Sequence, residues 1–577
     1  MRATFAGLNT MVRGIMANQL SLDTTGHNIT NAGTEGYSRQ TVLLGTTYSE
    51  LRGSLFGQVA VGTGVDAIAV ERARNVYADI QYRNENPTQN YYKTLAVNYD
   101  KVETVFDDSQ NLGIENALNK FYQSWVDLST TASNAASRTQ VIEHGRNLSD
   151  LLQSSTLELQ DQIALQYNDI RDELNQVEDL LNELVAFNKQ IIAQEATGAA
   201  ANDLRDQRDL VVDELSNYMN VNVTENEFGA YQINSGGVTL VNGITRAHLV
   251  MSDGIESSAY GIDYGVTDYN IKIAESNIAF LPENGIIKAR FDAIAENKSY
   301  IDKLANIANL LLSTFNEQHK QGWDMEGHSK TEDGETLPDT YNFFGEGKDE
   351  YQYRYDAENK FNYLYKSSSG ELLSGVQIIK EFNVNSCFSE VHGERYVAAA
   401  TSKQYVENSA SEGSWENLAW DDRTGDGTNA VYLSEFFNMS FEAMISEDRA
   451  TSIILNNKCI LVNKDGAAID DDGNLLGDDD ARVYGTATTK FSVNSYYQTA
   501  MSHLGIDAHS VDLNFEAMEN IMTQINNWRD STAGVDWNEE LTNMIKFQKG
   551  FTACSRCLNA MDEMLDRLVN STGTVGR

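Results

Sequence analysis

Residues 551–568 read FTACSRCLNAMDEMLDRL, with Cys554 and Cys557 in a C-x-x-C arrangement. That spacing is shared by half a zinc site, a redox couple and plain packing. The surrounding residues discriminate. Met544, Phe547, Phe551, Cys554, Leu558, Met561, Leu565 and Leu568 alternate at intervals of three and four. Two apolar positions per heptad over about seven turns mark a helix that packs along its length on another helix. Cys554 lies on that seam, where a thiol serves as a small hydrophobe, and Cys557 sits at the seam's edge. Zinc would need two more ligands, and the sequence has neither a second C-x-x-C nor a paired-His motif. A thioredoxin-like couple needs a βαβ setting, which a continuous helix does not supply. The cysteines therefore read as packing residues.

The opposite end carries a weaker strip. Phe5, Leu8, Val12, Ile15, Gln19, Leu22, Gly26 and Ile29 follow the same alternation. Gln19 and Gly26 bury little, and Gly7 and Gly14 lower helix propensity, so this helix is marginal alone. Eight C-terminal seam side chains at about 1.5–3 kcal/mol each give roughly 12–24 kcal/mol before ordering entropy is subtracted. The two ends are expected to need each other, or neighbouring copies, to be ordered. Phe5, Leu8, Val12, Ile15, Leu22 and Ile29 with the eight C-terminal residues form the expected assembly seam.

Composition narrows the function classes. The 577 residues carry 84 acidic against 43 basic side chains, a net charge of −41. Such a surface repels nucleic acid and anionic membranes, so neither is expected as a partner. Proline occurs only at Pro87, Pro282 and Pro338, a shortage that long uninterrupted helices produce. Four cysteines give no disulfide framework. The start, MRATFAGLNTMVRGIMANQLSLD, lacks a continuous apolar h-region, and no stretch approaches 18 apolar residues. This reads as cytoplasmic unless the chain is exported by a route that ignores cleavable signals.

The interior repeats the helical theme. Ile163, Tyr167, Ile170, Leu174, Val177, Leu181, Leu184, Asn188 and Ile191 form a heptad run in a proline-free stretch from about 137 to 195. Shorter amphipathic helices are marked by Leu118, Phe121, Trp125 and Leu128, and by Ile301, Leu304, Ala308, Leu311 and Phe315 over roughly 286–318. GAYQINSGGVTLVNG at 229–243 reads as a β-hairpin around Gly236-Gly237. IKI at 271–273 looks similar, and 326–490 is rich in Gly, Asp, Ser, Tyr and short β-like runs with an Asp465-Gly466 turn. The expected class is α+β: an elongated multidomain chain with a long-helix coiled-coil framework formed by both ends and β-rich inserted domains. The expected units are a terminal coiled-coil domain at 1–60 plus 535–577, and a helical rod at 61–225, 285–325, 425–439 and 490–534. A β-hairpin segment at 226–284, a β-rich insert at 326–424 and an acidic insertion at 440–489 complete the chain.

NITNAGTEGYSRQTV (28–42) resembles the N-terminal signature of the flagellar rod, hook and hook-associated protein family. In that signature Asn28 and Asn31 tolerate the turn, Gly33 and Gly36 allow positive φ, and Tyr37 anchors the extended segment. GQVAVGTGVDAIAVERARNVYADIQYR (57–83) is similar to the piece that leads into the first long helix. LNKFYQSWVDLS, AASRTQVIEHGRNLSDLL, ANDLRDQRDLVVDEL, FNEQHKQGWDMEG, GDGTNAVYLSEF, FSVNSYYQTAMSHLGIDA and GVDWNEELTNMIKFQKGF resemble, in order, segments of the hook-associated branch. Trp537 and Asn538 depart from the family's usual Leu and Asp, and the acidic stretch at about 440–490 looks like an insertion. The resemblance implies a secreted structural subunit between hook and filament, with copies of itself, the hook protein below and the second junction protein above as partners. It also implies unfolded export by the flagellar type III apparatus, with a chaperone holding the C-terminal helix. Rivals are a hook, rod or cap relative, and an exported enzyme or adhesin with its activity in 326–490.

Chemical sites are scarce. None of the eight histidines begins an H-E-x-x-H, and no phosphate-cradling Gly loop leads into Lys-Ser/Thr. DDDGNLLGDDD (470–480) suggests calcium, but aligning Gly473 with the loop glycine puts Ala468 at the first ligand position and Asp479 where Glu is expected. Asp206, Arg208 and Asp209 could form a catalytic cluster, yet at a helix start they read more simply as capping and ion-pair residues with Asn202 or Asp203 as N-cap. His319 and Trp323 are expected to close a helix. No catalytic residue, metal site or cofactor is expected.

Overall fold

In the computed structural model the described residues are 6–54, 57–107, 113–328, 340–348, 350–356, 361–401, 425–438, 460–462, 475 and 492–571. The proline-free heptad run forms one 61-residue helix, α4, Ala135–Glu195, capped by the Asn134 side chain. All nine heptad residues from Ile163 to Ile191 are buried in it. Before it come α1 (Ala6–Asn31), α2 (Val76–Val105) and α3 (Ile114–Thr130), and after it α5 (Asn202–Tyr218) and α6 (Ile286–Leu310). A π-turn, Leu311–Phe315, links α6 to α7 (Asn316–Gln321); α8 (Val376–Glu381) and α9 (Thr428–Glu435) are short. The chain returns through α10 (Val493–Ala533) and α11 (Trp537–Ser571). α4 packs on α3, α5 and α6, α10 packs along α2, and α1 packs along α11. Phe121, Trp125, Phe315, Phe343, Phe344 and Phe437 form an aromatic cluster within the core.

Between α1 and α2 lies a ribbon: β1 (Gln40–Thr46), β2 (Ser49–Ser54), β3 (Gly57–Gly62) and β4 (Val65–Arg72). β1 pairs with β4 and β2 with β3, all antiparallel. The boundary expected at residue 60 therefore cuts β3, because the ribbon is a single out-and-back excursion. After α5 a four-stranded sheet runs β5 (Asn222–Glu225), β6 (Tyr231–Ser235), β7 (Val238–Asn242), β8 (Thr245–Arg246). Gly236 and Gly237 supply positive φ at 52° and 75° in the β6–β7 turn. IKI forms the middle strand, Ile271–Ile273, of a second small sheet.

The region 326–424 has strands Tyr351–Asp356, Phe361–Lys366 and Glu371–Leu373, together with α8 and two short 3₁₀ turns. Ile460–Val462, from the stretch expected to stand apart as an acidic insertion, pairs parallel with Tyr351–Asp356. The two expected units thus share one sheet. The Asp465-Gly466 turn lies outside the described residues, as does the acidic stretch 470–480 apart from Leu475.

Candidate assembly interface

The terminal helices pair through small residues on one side and large ones on the other. A Cβ on Gly14 would lie 3.0 Å from Cys554 Sγ, and one on Gly7 would lie 3.1 Å from Met561 Sδ. A side chain at Gly550 would likewise collide with Asn18. The buried stripe of α1 is Gly14, Ala17, Ser21, Thr25 and Asn28. Ser21 and Thr25 donate their hydroxyls to Ala17 O and Ser21 O, 2.9 and 2.8 Å away, which satisfies them within the helix.

The N-terminal residues of the expected assembly seam flank this stripe. Leu8, Val12, Ile15, Leu22 and Ile29 are only half-buried, and the stripe of small residues lies beside them on the helix. Small residues let the two backbones approach closely, so glycines read as weak points are the sockets. The heptad spacing of Gly7, Gly14 and Ser21 was the available signal. On α11, Met544, Phe547, Phe551, Cys554, Leu558, Met561 and Leu565 are all half-buried. Phe5 and the Leu568 side chain lie outside the described residues.

Where the arm meets the body, Asn28 closes a knot. It is not a turn residue, since α1 continues to Asn31. Asn28 Oδ1 accepts from Gln40 N at 2.9 Å and Tyr37 OH at 2.8 Å, and its Nδ2 donates to Gln40 O and to Glu540 Oε2. Gly36 has φ +76°, whereas Gly33 is not in the left-handed region. Burial, then the charges of Asp203, Asp206 and Glu540, push the Tyr37 phenol up, so it stays a neutral donor. Arg39 donates through Nε to Glu540 at 2.7 Å and through Nη2 to Glu539 at 2.6 Å. Its backbone N–H donates to Ala533 O. The start of α11, the end of α10 and the ribbon are thereby tied to α1.

A second knot is built on residues 202–209. Ser38 N donates to Asp206, Gln40 Nε2 to Asp203, and Asn202 Nδ2 to Val70 O. Arg72 reaches Asp206 at 2.8 Å and Asp209 at 2.9 Å, Arg74 pairs with Asp79 and Asp209, and Arg83 with Asp209 and Asp213. Arg529 of α10 pairs with Asp79 and Asp213. The expected capping role fails: the N-cap is Ala201, with no side-chain cap, because Asn202 and Asp203 are engaged by the ribbon. Arg208, fully buried, lies 3.4 Å from the Tyr231 ring centroid and donates to Asn188 and Gly229 O. Asp206, Arg208 and Asp209 are thus a tertiary joint.

His319 is fully buried, accepting from Ala398 N at Nε2 and facing Tyr341 O with Nδ1, both at 3.0 Å. Trp323 bridges Ala400 through its backbone. Among the described residues no His/Cys/Asp/Glu cluster could hold a metal, and no helix is long and apolar enough to cross a membrane.

Charge is distributed unevenly. Residues 1–75 and 535–577 hold 11 acidic and 11 basic side chains, so the other 459 residues carry the whole −41. A neutral arm made from both chain ends is thus knotted to an acidic helical body. Residues 99–333 match the family described as flagellar hook-associated protein FlgK helical domain, and residues 530–571 match flagellar basal body rod FlgEFG protein C-terminal. Both descriptions are of flagellar proteins. It is 25% identical to flagellar hook-associated protein 1 of Bacillus subtilis (strain 168) over 100% of both chains. It is 24% identical to flagellar hook-associated protein 1 of Escherichia coli (strain K12) over 98% of this chain and 99% of that one. The structure of the flagellar hook junction protein FlgK from Burkholderia pseudomallei shares the fold, with TM-score 0.53 and 14% identity over 79% of this chain and 100% of that one. Over essentially its whole length the chain is thus similar to flagellar hook-associated protein 1.

Proposed function

We propose that this chain is a non-catalytic subunit of the bacterial flagellum that joins hook to filament as copies laid side by side through their terminal arms. The observation that carries the reading is the half-buried apolar strip on a charge-neutral arm. Leu8, Val12, Ile15, Leu22 and Ile29, with the seven described seam residues of α11, still expose apolar surface after the helices pair. Covering that remainder with neighbouring copies is worth about 1 kcal/mol per side chain, while the −41 on the rest of the chain keeps bodies apart.

The hook protein on one side and the second junction protein on the other complete the set of partners. Export unfolded through the flagellar type III apparatus, with a chaperone on α11, delivers the chain to the cell exterior. The test is deletion of 535–577. The body should stay folded by circular dichroism, while incorporation and filament growth are abolished; normal filaments on that mutant would refute the assembly role.

A further inference from the structure

The arm interface leaves the ribbon bare. Leu43, Leu44, Tyr48, Leu51, Val59 and Ile68 are each 42–71% exposed. They occupy both faces: Leu51 pairs with Ala60 and Val59 belongs to the adjacent rung of the ladder, so Leu51 and Val59 lie on opposite faces. Ile68 is the extra residue of a bulge facing Leu43 and Leu44, and it lies over Gly45. Among the described residues no third strand joins either pair. A two-stranded ribbon is marginal in water, and apolar rows beside open edges form an association surface.

We infer that the ribbon docks on the terminal arm of a second copy of this chain, an inference that rests on the self-assembly reading above. Charge favours the arm of the second copy over its body. Residues 40–72 hold three acidic and two basic side chains and belong to the 118 residues whose charges cancel, whereas contact with another copy's body meets the remaining −41. The neutral arm of a neighbour offers matching surface in Met16, Leu541, Ile545 and Met564, each 46–64% exposed. The ribbon is also continuous with its own arm. Thr10 Oγ1 donates to Thr63 O at 3.2 Å, and Arg13 pairs with Asp66 at 2.7 Å.

The experiment replaces the native gene with full-length L51E/V59E and measures the chain in sheared flagella by immunoblot. A roughly tenfold or larger loss is expected, with the unfolding temperature of the purified variant unchanged. In a second arm, an otherwise native chain carries a photocrosslinker at Tyr48, and the adduct should have twice the chain mass, with peptides from α1 or α11. Normal incorporation of the double variant, or an adduct with a different flagellar protein, overturns the proposal. G14L, which blocks α1–α11 pairing, separates the two ideas. If G14L abolishes incorporation and L51E/V59E does not, the ribbon contact alone is wrong. If G14L is harmless, the self-assembly reading fails and takes the ribbon contact with it.

Discussion

Replacing Asp209 with Asn should loosen the joint between ribbon and body while barely changing its shape. Asp209 is 2% exposed and lies between Arg72, Arg74 and Arg83 at 2.9, 3.0 and 3.1 Å, accepting also from Tyr231 OH at 2.6 Å. Burial alone would raise its pKa, but Arg74, Arg83 and Arg72 pull it well below the usual carboxylate range. Its contribution is therefore complete above the unfolded value of about 3.9 and is lost only as pH falls through the folded value, so an assay at pH 7 reads all of it. Removing one partner of a buried ion pair costs about 3–5 kcal/mol. Each arginine keeps another carboxylate, Asp206, Asp79 and Asp213 respectively, which puts the expected cost near 3 kcal/mol. At roughly 2–4 °C per kcal/mol in domains of 150–250 residues, and less in a larger body, unfolding should drop by roughly 5 °C in a circular-dichroism melt. Asp203→Asn is the control: its side chain is 63% exposed, and its loss should cost less than about 1 kcal/mol. Equal melts for the two variants would refute a central role for Asp209.

Two buried groups should give opposite pH slopes. Burial lowers the His319 pKa to about 3, so the unfolded chain takes the proton first. Stability should fall below about pH 6.5 by roughly 1.4 kcal/mol per pH unit, and urea midpoints of His319→Gln should lose that slope; parallel curves for variant and native chain would contradict it. Asp302 is pushed up to about 7 by burial, with Tyr264 OH donating to Oδ2 at 3.0 Å and Oδ1 buried without a partner. The folded chain there holds its proton longer than the unfolded one, so stability should fall as pH rises from about 3.9 to about 7. Asp302→Asn should be the more stable protein at pH 8 and not at pH 4, and a less stable variant at pH 8 would count against this.

The two halves of the arm differ in how readable they were, for a physical reason. The α11 seam announces itself because Met544, Phe547, Phe551, Leu558, Met561 and Leu565 are large apolar side chains at a helical period. The α1 face works by lacking side chains, and a pattern search that scores hydrophobicity counts Gly7 and Gly14 as defects when each receives a sulfur-bearing side chain of α11. The 202–209 motif was misread differently. Its composition suits a cap and short-range ion pairs, whereas Asp209's partners Arg72 and Arg83 lie 137 and 126 positions away. Nothing local distinguishes a solvated acidic helix start from one buried against arginines.

The consequence is a division of labour between the joints. Arm pairing is steric and apolar, so added volume at Gly14 disrupts it and salt does not. The body joint is a set of charges buried around Asp209, screened weakly by salt but intolerant of losing that carboxylate. Because Ser38 and Gln40 bind Asp206 and Asp203 while Arg39 and Asn28 bind Glu540, three consecutive residues, 38–40, couple the two joints. A change in that triplet should move arm and body together, which a change confined to either joint cannot do.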